Sequence, residues 1–388
     1  MKEFLLVLVL ISGLIKGQLL FWGIPPYIDL TLISFLLLFF YSIVNYKQFS
    51  FSLSTLKTLI FLSLLIFYFW MIFTLIYTSS NDYSLTKVFL FLTNLIPLSF
   101  LLFIKEFDHR KFIKYFVLII FTLDLTCLFY ELMYISGRLG GLSINYYKYI
   151  AGDTLVLGEL TGLMTLIMIC FKEKQLFDHK YLARLLIGIG IVFLFVLAAR
   201  GPLIFFLFSA LIYFLMNLKK VKISNLKFSK ALLFLVPVLV IIFFYFSSEL
   251  LSLAHWSITR LNVLFSDLFD GRKLSGSTSG RFSHFTNSIN LIFSNIQTFI
   301  FGKGIGSYMY EISGIDGRGY PHNIILEVWT EMGLIGLILF LFYLVFSFIL
   351  KISKESKTSW VVFLYILLNL LKSNSLVDIR VHILFFAF

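Results

Sequence analysis

The residues most able to do chemistry gather in one stretch near the C-terminal end, Gly319-Tyr320-Pro321-His322-Asn323-Ile324-Ile325-Leu326-Glu327-Val328-Trp329-Thr330-Glu331-Met332-Gly333-Leu334-Ile335-Gly336. A Gly-containing loop leads here into a long apolar helix predicted over 323–350. Pro321 is placed for the helix start, where its missing N–H costs nothing. Asn323, Glu327 and Glu331 fall at i, i+4 and i+8, which puts them on one face. Carboxylates on an apolar helix are costly against lipid, so this face is expected to meet protein interior or a water-filled cavity. His322 sits at the junction of loop and helix. A neutral imidazole there could accept a proton from a sugar hydroxyl as a general base, and it could equally be a structural residue at a membrane interface.

Arginines form the second chemical group. Arg200 lies between two apolar spans in Ala198-Ala199-Arg200-Gly201-Pro202, with too little chain around it to leave the membrane surface. It reads either as a snorkelling interfacial cation or as a ligand for an anion. Arg281 opens a predicted amphipathic helix over 281–301, and Arg138, Lys148, Lys303 and Arg318 extend the basic set. Guanidinium is a permanent cation that grips phosphate oxygens in pairs, so converging arginines suit a diphosphate. Glu159, inside an apolar span, could pair with a neighbouring helix or act on a substrate. Gly302-Lys303-Gly304-Ile305-Gly306 is not a phosphate-binding P-loop, because no Gly-x-x-x-x-Gly-Lys-Ser/Thr and no βαβ context is present. No His/Cys/Asp cluster has metal-ligand spacing and no Asp-x-Asp occurs, so neither a metal nor another cofactor is expected.

The elements that must position these groups are membrane helices. The 388 residues are 60% hydrophobic, 19% aromatic and only 13% charged. Apolar runs long enough to cross a hydrocarbon core of about 30 Å recur along the chain. The fold class is therefore all-α: a polytopic transmembrane helix bundle of eleven or twelve spans, read as one integral-membrane domain over 1–388. Candidate spans are 4–22, 28–45, 56–77, 86–104, 112–135, 153–171, 182–199, 201–217, 230–248, 323–350 and 358–373, with a short last piece at 377–388. The first span follows Lys2 without a small-x-small cleavage site and is read as an anchor left in place. Cys127 and Cys170 lie in apolar spans and are expected as thiols. An excess of 32 Lys+Arg over 20 Asp+Glu reflects orientation signals, not nucleic-acid binding. Lys-rich short loops alternate with Lys-poor ones, which predicts a cytoplasmic N-terminus. The one long connection, 249–322, then lies on the outer side, with Phe282, Phe285, Ile289 and Phe293 forming an apolar stripe along its predicted helix.

In this order the motifs resemble the O-antigen ligase/O-antigen polymerase family of bacterial polysaccharide assembly. The resemblance rests on Arg200 between two spans, Gly280-Arg281 opening a helix, Phe301-Gly302-Lys303-Gly304-Ile305-Gly306, Pro321-His322-Asn323, Leu326-Glu327, and Glu331 followed by Gly333-Leu334-Ile335-Gly336. Tyr77-Thr78-Ser79 with Lys87, and Ser375–Arg380, support it. It is detailed over roughly 200–345 and topological elsewhere. It implies a metal-independent, inverting glycosyltransferase of the bacterial inner membrane with a GT-C-like fold and its active site on the periplasmic face. The donor would be an undecaprenyl-diphosphate-linked oligosaccharide and the acceptor a glycan. Arg200 and Arg281 would bind the diphosphate, and His322 would orient or deprotonate the acceptor hydroxyl, with Glu327 or Asn323 orienting His322. The first reading is a polymerase of O-antigen or capsule repeat units, served by membrane lipids and by a chain-length regulator. The alternative is a ligase acting on a lipid A-core. A lipid-linked oligosaccharide transporter is a distant third, since no internal repeat is visible between the two halves.

Overall fold

A chain this apolar has few options in lipid. Every backbone N–H and C=O must be satisfied within its own segment, which selects helices. The computed structural model describes residues 1–21, 29–49, 54–135, 153–170, 180–197, 200–217, 277–353 and 357–387, and among these the regular elements are helical. The chain is an all-α polytopic membrane protein. Every span expected from the sequence coincides with a helix except 230–248, which lies outside the described residues. Four helices among the described residues, Thr55–Ile76, Asp82–Phe103, His109–Phe129 and Ile324–Leu350, are long and apolar enough to cross a membrane, and Leu30–Val44, Leu155–Cys170, Leu182–Phe195, Gly201–Asn217 and Ser359–Lys372 are shorter apolar helices. Large apolar side chains such as Phe39, Phe69, Phe89, Phe208 and Phe342 point outwards, as lipid contact requires.

The chain divides into two compact units. The first comprises residues 1–41 and 108–270. Its described helices are α1 (Lys2–Phe21), α2 (Leu30–Val44, shared across the boundary), α5 (His109–Ile135), α6 (Asp153–Cys170), α7 (Lys180–Val196) and α8 (Arg200–Asn217). α6 is the centre, packed on α5, α7 and α8. Its Thr161 hydroxyl donates to the buried Asp124 of α5 at 2.7 Å, and Glu159 is buried on the same helix. Cys127 and Cys170 are buried here.

The second unit comprises residues 42–107 and 271–388. It contains α3 (Thr55–Phe73), α4 (Asp82–Phe103), α9 (Ser277–Ile292), α10 (Ile296–Phe301), α11 (Tyr308–Ser313), α12 (Ile324–Ser353), α13 (Lys357–Ser373) and α14 (Arg380–Ala387). α12 is its spine, packed along α3, α9, α10 and α13.

Two expectations are corrected. The helix predicted over 281–301 is two helices: it begins a turn earlier, at Ser277, and breaks before Asn295, whose side chain accepts from Thr298 N–H to cap α10. Its stripe also faces outwards, with Phe282, Phe285 and Phe293 exposed while Ser288 and Ile292 are buried. The long C-terminal helix is likewise interrupted: Gly333 takes φ 68° and ψ −172°.

That interruption explains the Gly-Lys-Gly-Ile-Gly run. A break at Gly333 strips carbonyls just before it of their helical donors, and buried carbonyls need new ones. Lys303 N–H donates to the Thr330 carbonyl at 2.9 Å and Gly304 N–H to that of Glu331 at 2.8 Å. The Trp70 indole N–H from α3 donates to the Met332 carbonyl at 3.0 Å. The backbones approach so closely that a Cβ on Gly302 would collide with the Glu331 carbonyl, and one on Gly333 with the Ile300 carbonyl. Gly302 also sits at φ 80°, where only glycine is unstrained. The glycines lock a loop onto a broken helix.

Candidate active site

Asn323, not Pro321, starts α12. Its side-chain oxygen accepts from the backbone N–H groups of Ile325 (3.0 Å) and Leu326 (3.1 Å), the arrangement of an N-cap. Its amide donates to the Leu371 carbonyl of α13 at 2.8 Å. The sequence places Pro321 at the first helical position; it stands instead two residues before the cap, buried. Between them His322 is held at φ 58°, left-handed for a residue with a Cβ. Such a conformation costs on the order of 1–3 kcal/mol and persists where its surroundings enforce it, commonly at functional sites.

The surroundings of His322 are aromatic and cationic. The Tyr320 ring lies 4.4 Å away centroid to centroid, and the His284 ring 5.7 Å away at 66°. Burial first, and then the charge of Arg281 nearby, pushes the His322 imidazole down to about 4. It is therefore neutral at physiological pH, the state a proton acceptor needs. Its side chain makes no hydrogen bond to another described residue.

Of the expected anion ligands, Arg281 is half-buried on α9 and makes no ion pair with another described residue. Lys303 is engaged by Glu311 at 3.2 Å, whose other oxygen accepts from Ser79 at 2.8 Å. Arg318 is engaged by Asp378 at 2.6 Å. Of these three, Arg281 has its charge least committed. Arg200 opens α8 of the first unit. Arg138 and Lys148 lie outside the described residues.

Glu327 does not orient His322. Its carboxylate is fully buried and turned towards Lys87 of α4, which it binds directly. It also accepts from Ser375 Oγ (2.8 Å) and Leu376 N–H (3.0 Å). The Lys87 ammonium lies 2.8 Å from each oxygen of Glu331 as well. One buried cation thus meets two buried carboxylates and joins α4, α12 and the 374–376 turn. The i, i+4 face predicted for Glu327 and Glu331 does look into protein, as their cost in lipid demands. Its partner is an ammonium behind the site. The tie has a counterpart at the loop surface. The Asp316 carboxylate accepts from Ser80 Oγ (2.6 Å) and the N–H groups of Asn81 (2.9 Å) and Asp82 (2.8 Å) at the start of α4. Those bonds, that of Ser80 first, hold it below the ordinary carboxylate range.

Sequence reading missed His284 and Tyr308. Tyr308 is fully buried in α11, and its hydroxyl lies 2.9 Å from His284 Nδ1 while donating to the His284 carbonyl at 3.0 Å. A signal existed: His284 follows Arg281 at i+3 on the same helical face. Lys87 carried a stronger one, as a lone cation inside an apolar span.

Residues 185–341 match the family model described as O-antigen ligase. No curated protein matches the chain. The match covers less than half of the chain and shows a likeness of that segment to O-antigen ligases.

Proposed function

We propose that this chain, which carries an O-antigen ligase family segment at residues 185–341, is a polysaccharide polymerase joining undecaprenyl-diphosphate-linked repeat units at the outer face of the inner membrane. The observation that carries the reading is a neutral, half-buried imidazole at His322 beside the uncommitted guanidinium of Arg281. Arg281 binds the donor diphosphate and stabilises negative charge as it develops on the leaving oxygen. His322 removes the proton from the acceptor hydroxyl. The acceptor oxygen bonds to the anomeric carbon as the carbon–oxygen bond to diphosphate breaks, its electron pair leaving with the lipid diphosphate. Attack from the face opposite the leaving group inverts the anomeric configuration. Arg200 is assigned a second phosphate contact by the family resemblance. No step calls on a metal, and the alternation of Lys-rich with Lys-poor short loops supports an N-terminus on the cytoplasmic side.

The second reading is a ligase, favoured by the description of the matching family. Purified protein supplied with lipid-diphosphate repeat units, with no lipid A-core present, separates the two. Long glycans on lipid carrier are expected. Transfer that begins only when core is added refutes the polymerase in favour of the ligase. Arg281→Ala is expected to lower kcat by roughly 10²–10³-fold, the size of losing one transition-state donor. Lys303→Ala and Arg318→Ala, whose charges are already paired, are expected to stay within about tenfold of wild type.

A further inference from the structure

A general base needs a partner that fixes its ring and holds the proton on its far nitrogen. Sequence reading gave that role to Glu327 or Asn323, and both are committed elsewhere: Glu327 to Lys87, Ser375 and Leu376, Asn323 to the first turn of α12 and to Leu371. His322 therefore has no carboxylate behind it among the described residues. What lies beside it is His284, 5.7 Å between ring centroids and edge to face.

The Tyr308 hydroxyl stands against Nδ1 of the His284 ring. Burial pushes this phenol up to about 12, so it keeps its hydrogen under all working conditions. That hydrogen is donated to the His284 carbonyl at 3.0 Å. With its hydrogen on that carbonyl, the same oxygen can only accept at Nδ1, 2.9 Å away, and in this arrangement Nδ1 carries the ring hydrogen. A neutral imidazole with hydrogen on Nδ1 has its lone pair at Nε2. In this arrangement His284 offers an acceptor where a carboxylate is usually found, without adding a negative charge beside Arg281.

We propose that His284, locked in its Nδ1–H tautomer by Tyr308, is the positioning residue that orients His322 for proton abstraction. The inference rests on His322 being the base in the proposed transfer. In the working complex the His322 ring closes on His284 so that its N–H donates to His284 Nε2, and its other nitrogen faces the acceptor hydroxyl. Catalytic hydrogen bonds are commonly long before substrate binds and tighten in the Michaelis complex. After proton abstraction the new charge on His322 is shared across the N–H···N bond. The charged and titratable groups around this pair are Arg281 on α9, Tyr308 on α11, Tyr320 in the loop, and the Lys87–Glu327–Glu331 cluster behind α12.

The test uses the full chain in lipid nanodiscs and has two readouts. Nitrogen-15 NMR of labelled imidazoles reports tautomers without any turnover. His284 is expected with hydrogen on Nδ1 in wild type and with that preference lost in Tyr308→Phe. A wild-type His284 carrying its hydrogen on Nε2, or a tautomer indifferent to Tyr308→Phe, overturns the lock. The second readout is transfer from a lipid-diphosphate repeat unit extracted from the native host. His284→Ala is expected to lower kcat about 10–100-fold with KM little changed, part of the 10²–10⁴ that a positioned base contributes. His284→Gln, whose side-chain oxygen can still accept, should recover much of it. The double variant His284→Ala/His322→Ala should be no slower than His322→Ala. Full activity in His284→Ala, or losses that multiply in the double variant, sinks the inference while leaving the transfer reading intact. Undiminished transfer in His322→Ala refutes both.

Discussion

Removing the Lys87 ammonium is the sharpest test of how the second unit holds together. In Lys87→Met the buried Glu327 and Glu331 carboxylates would face each other across one helical turn with no cation between them. Two like charges about 5 Å apart repel by roughly 3 kcal/mol at an effective dielectric of about 20. Breaking a buried ion pair from one side costs about 3–5 kcal/mol, much of a total stability of some 5–15 kcal/mol. Proton uptake by one carboxylate relieves part of this, so about 3 kcal/mol is the expected net loss, seen as a fall in melting temperature on the order of 10 °C. Glu331→Gln should behave oppositely. It leaves Lys87 and Glu327 as a one-to-one pair with Ser375 and Leu376 still donating, so the change should stay within about 1 kcal/mol. Lys87→Met/Glu331→Gln should recover part of the loss. Tryptophan fluorescence melting in nanodiscs reads this unit directly, because Trp70 and Trp329 donate to backbone carbonyls at Met332 and Phe299. A Lys87→Met protein melting with wild type, or a Glu331→Gln protein melting below Lys87→Met, would refute the reasoning.

Other predictions concern the loop and the imidazole. Burial lowers His322 from 6.5 to about 4, so the unfolded chain binds a proton between those values that the folded chain does not. Stability should therefore rise with pH through that window, and the acid limb of kcat/KM should lie near pH 4; initial rates showing a limb near 6.5 would contradict a buried neutral base. Gly333→Ala puts a Cβ against the Ile300 carbonyl at a left-handed position, and a loss of about 2 kcal/mol or more is expected from thermal melting. Asp316→Ala removes a cap from α4 and should lower stability by about 1 kcal/mol by the same measurement; no shift would mean the exposed carboxylate contributes nothing.

Much of the architecture was legible because lipid tolerates so few solutions. An apolar run of sufficient length must be helical, so helix positions could be read along the chain wherever the structure describes them. The placing of Glu327 and Glu331 on one protected face was equally forced, by the 3.6-residue period and the cost of a carboxylate in hydrocarbon. Breaks within helices were less legible. Gly333 reads as a small residue in a membrane helix, and its left-handed backbone depends on the Gly302 loop offering N–H groups to the carbonyls it releases.

The sequence by itself determined an all-α membrane chain, a histidine at a loop–helix junction, arginines in number enough for a phosphate, and a Gly run unsuited to nucleotides. Which of these work together was a matter of tertiary structure. The partner of Glu327 stands 240 residues earlier in the chain and that of Glu331 stands 244, distances at which no local period carries information. Lys303 and Arg318 look as available as Arg281 until Glu311 and Asp378 are seen against them. His284 became relevant only when α11 brought a buried phenol to one side of its ring and the Tyr320–Asn323 loop brought His322 to another. Local periodicity and solvent cost act through neighbours in sequence. Charge neutralisation and hydrogen-bond completion act through neighbours in space, and those exist only once the helices have packed.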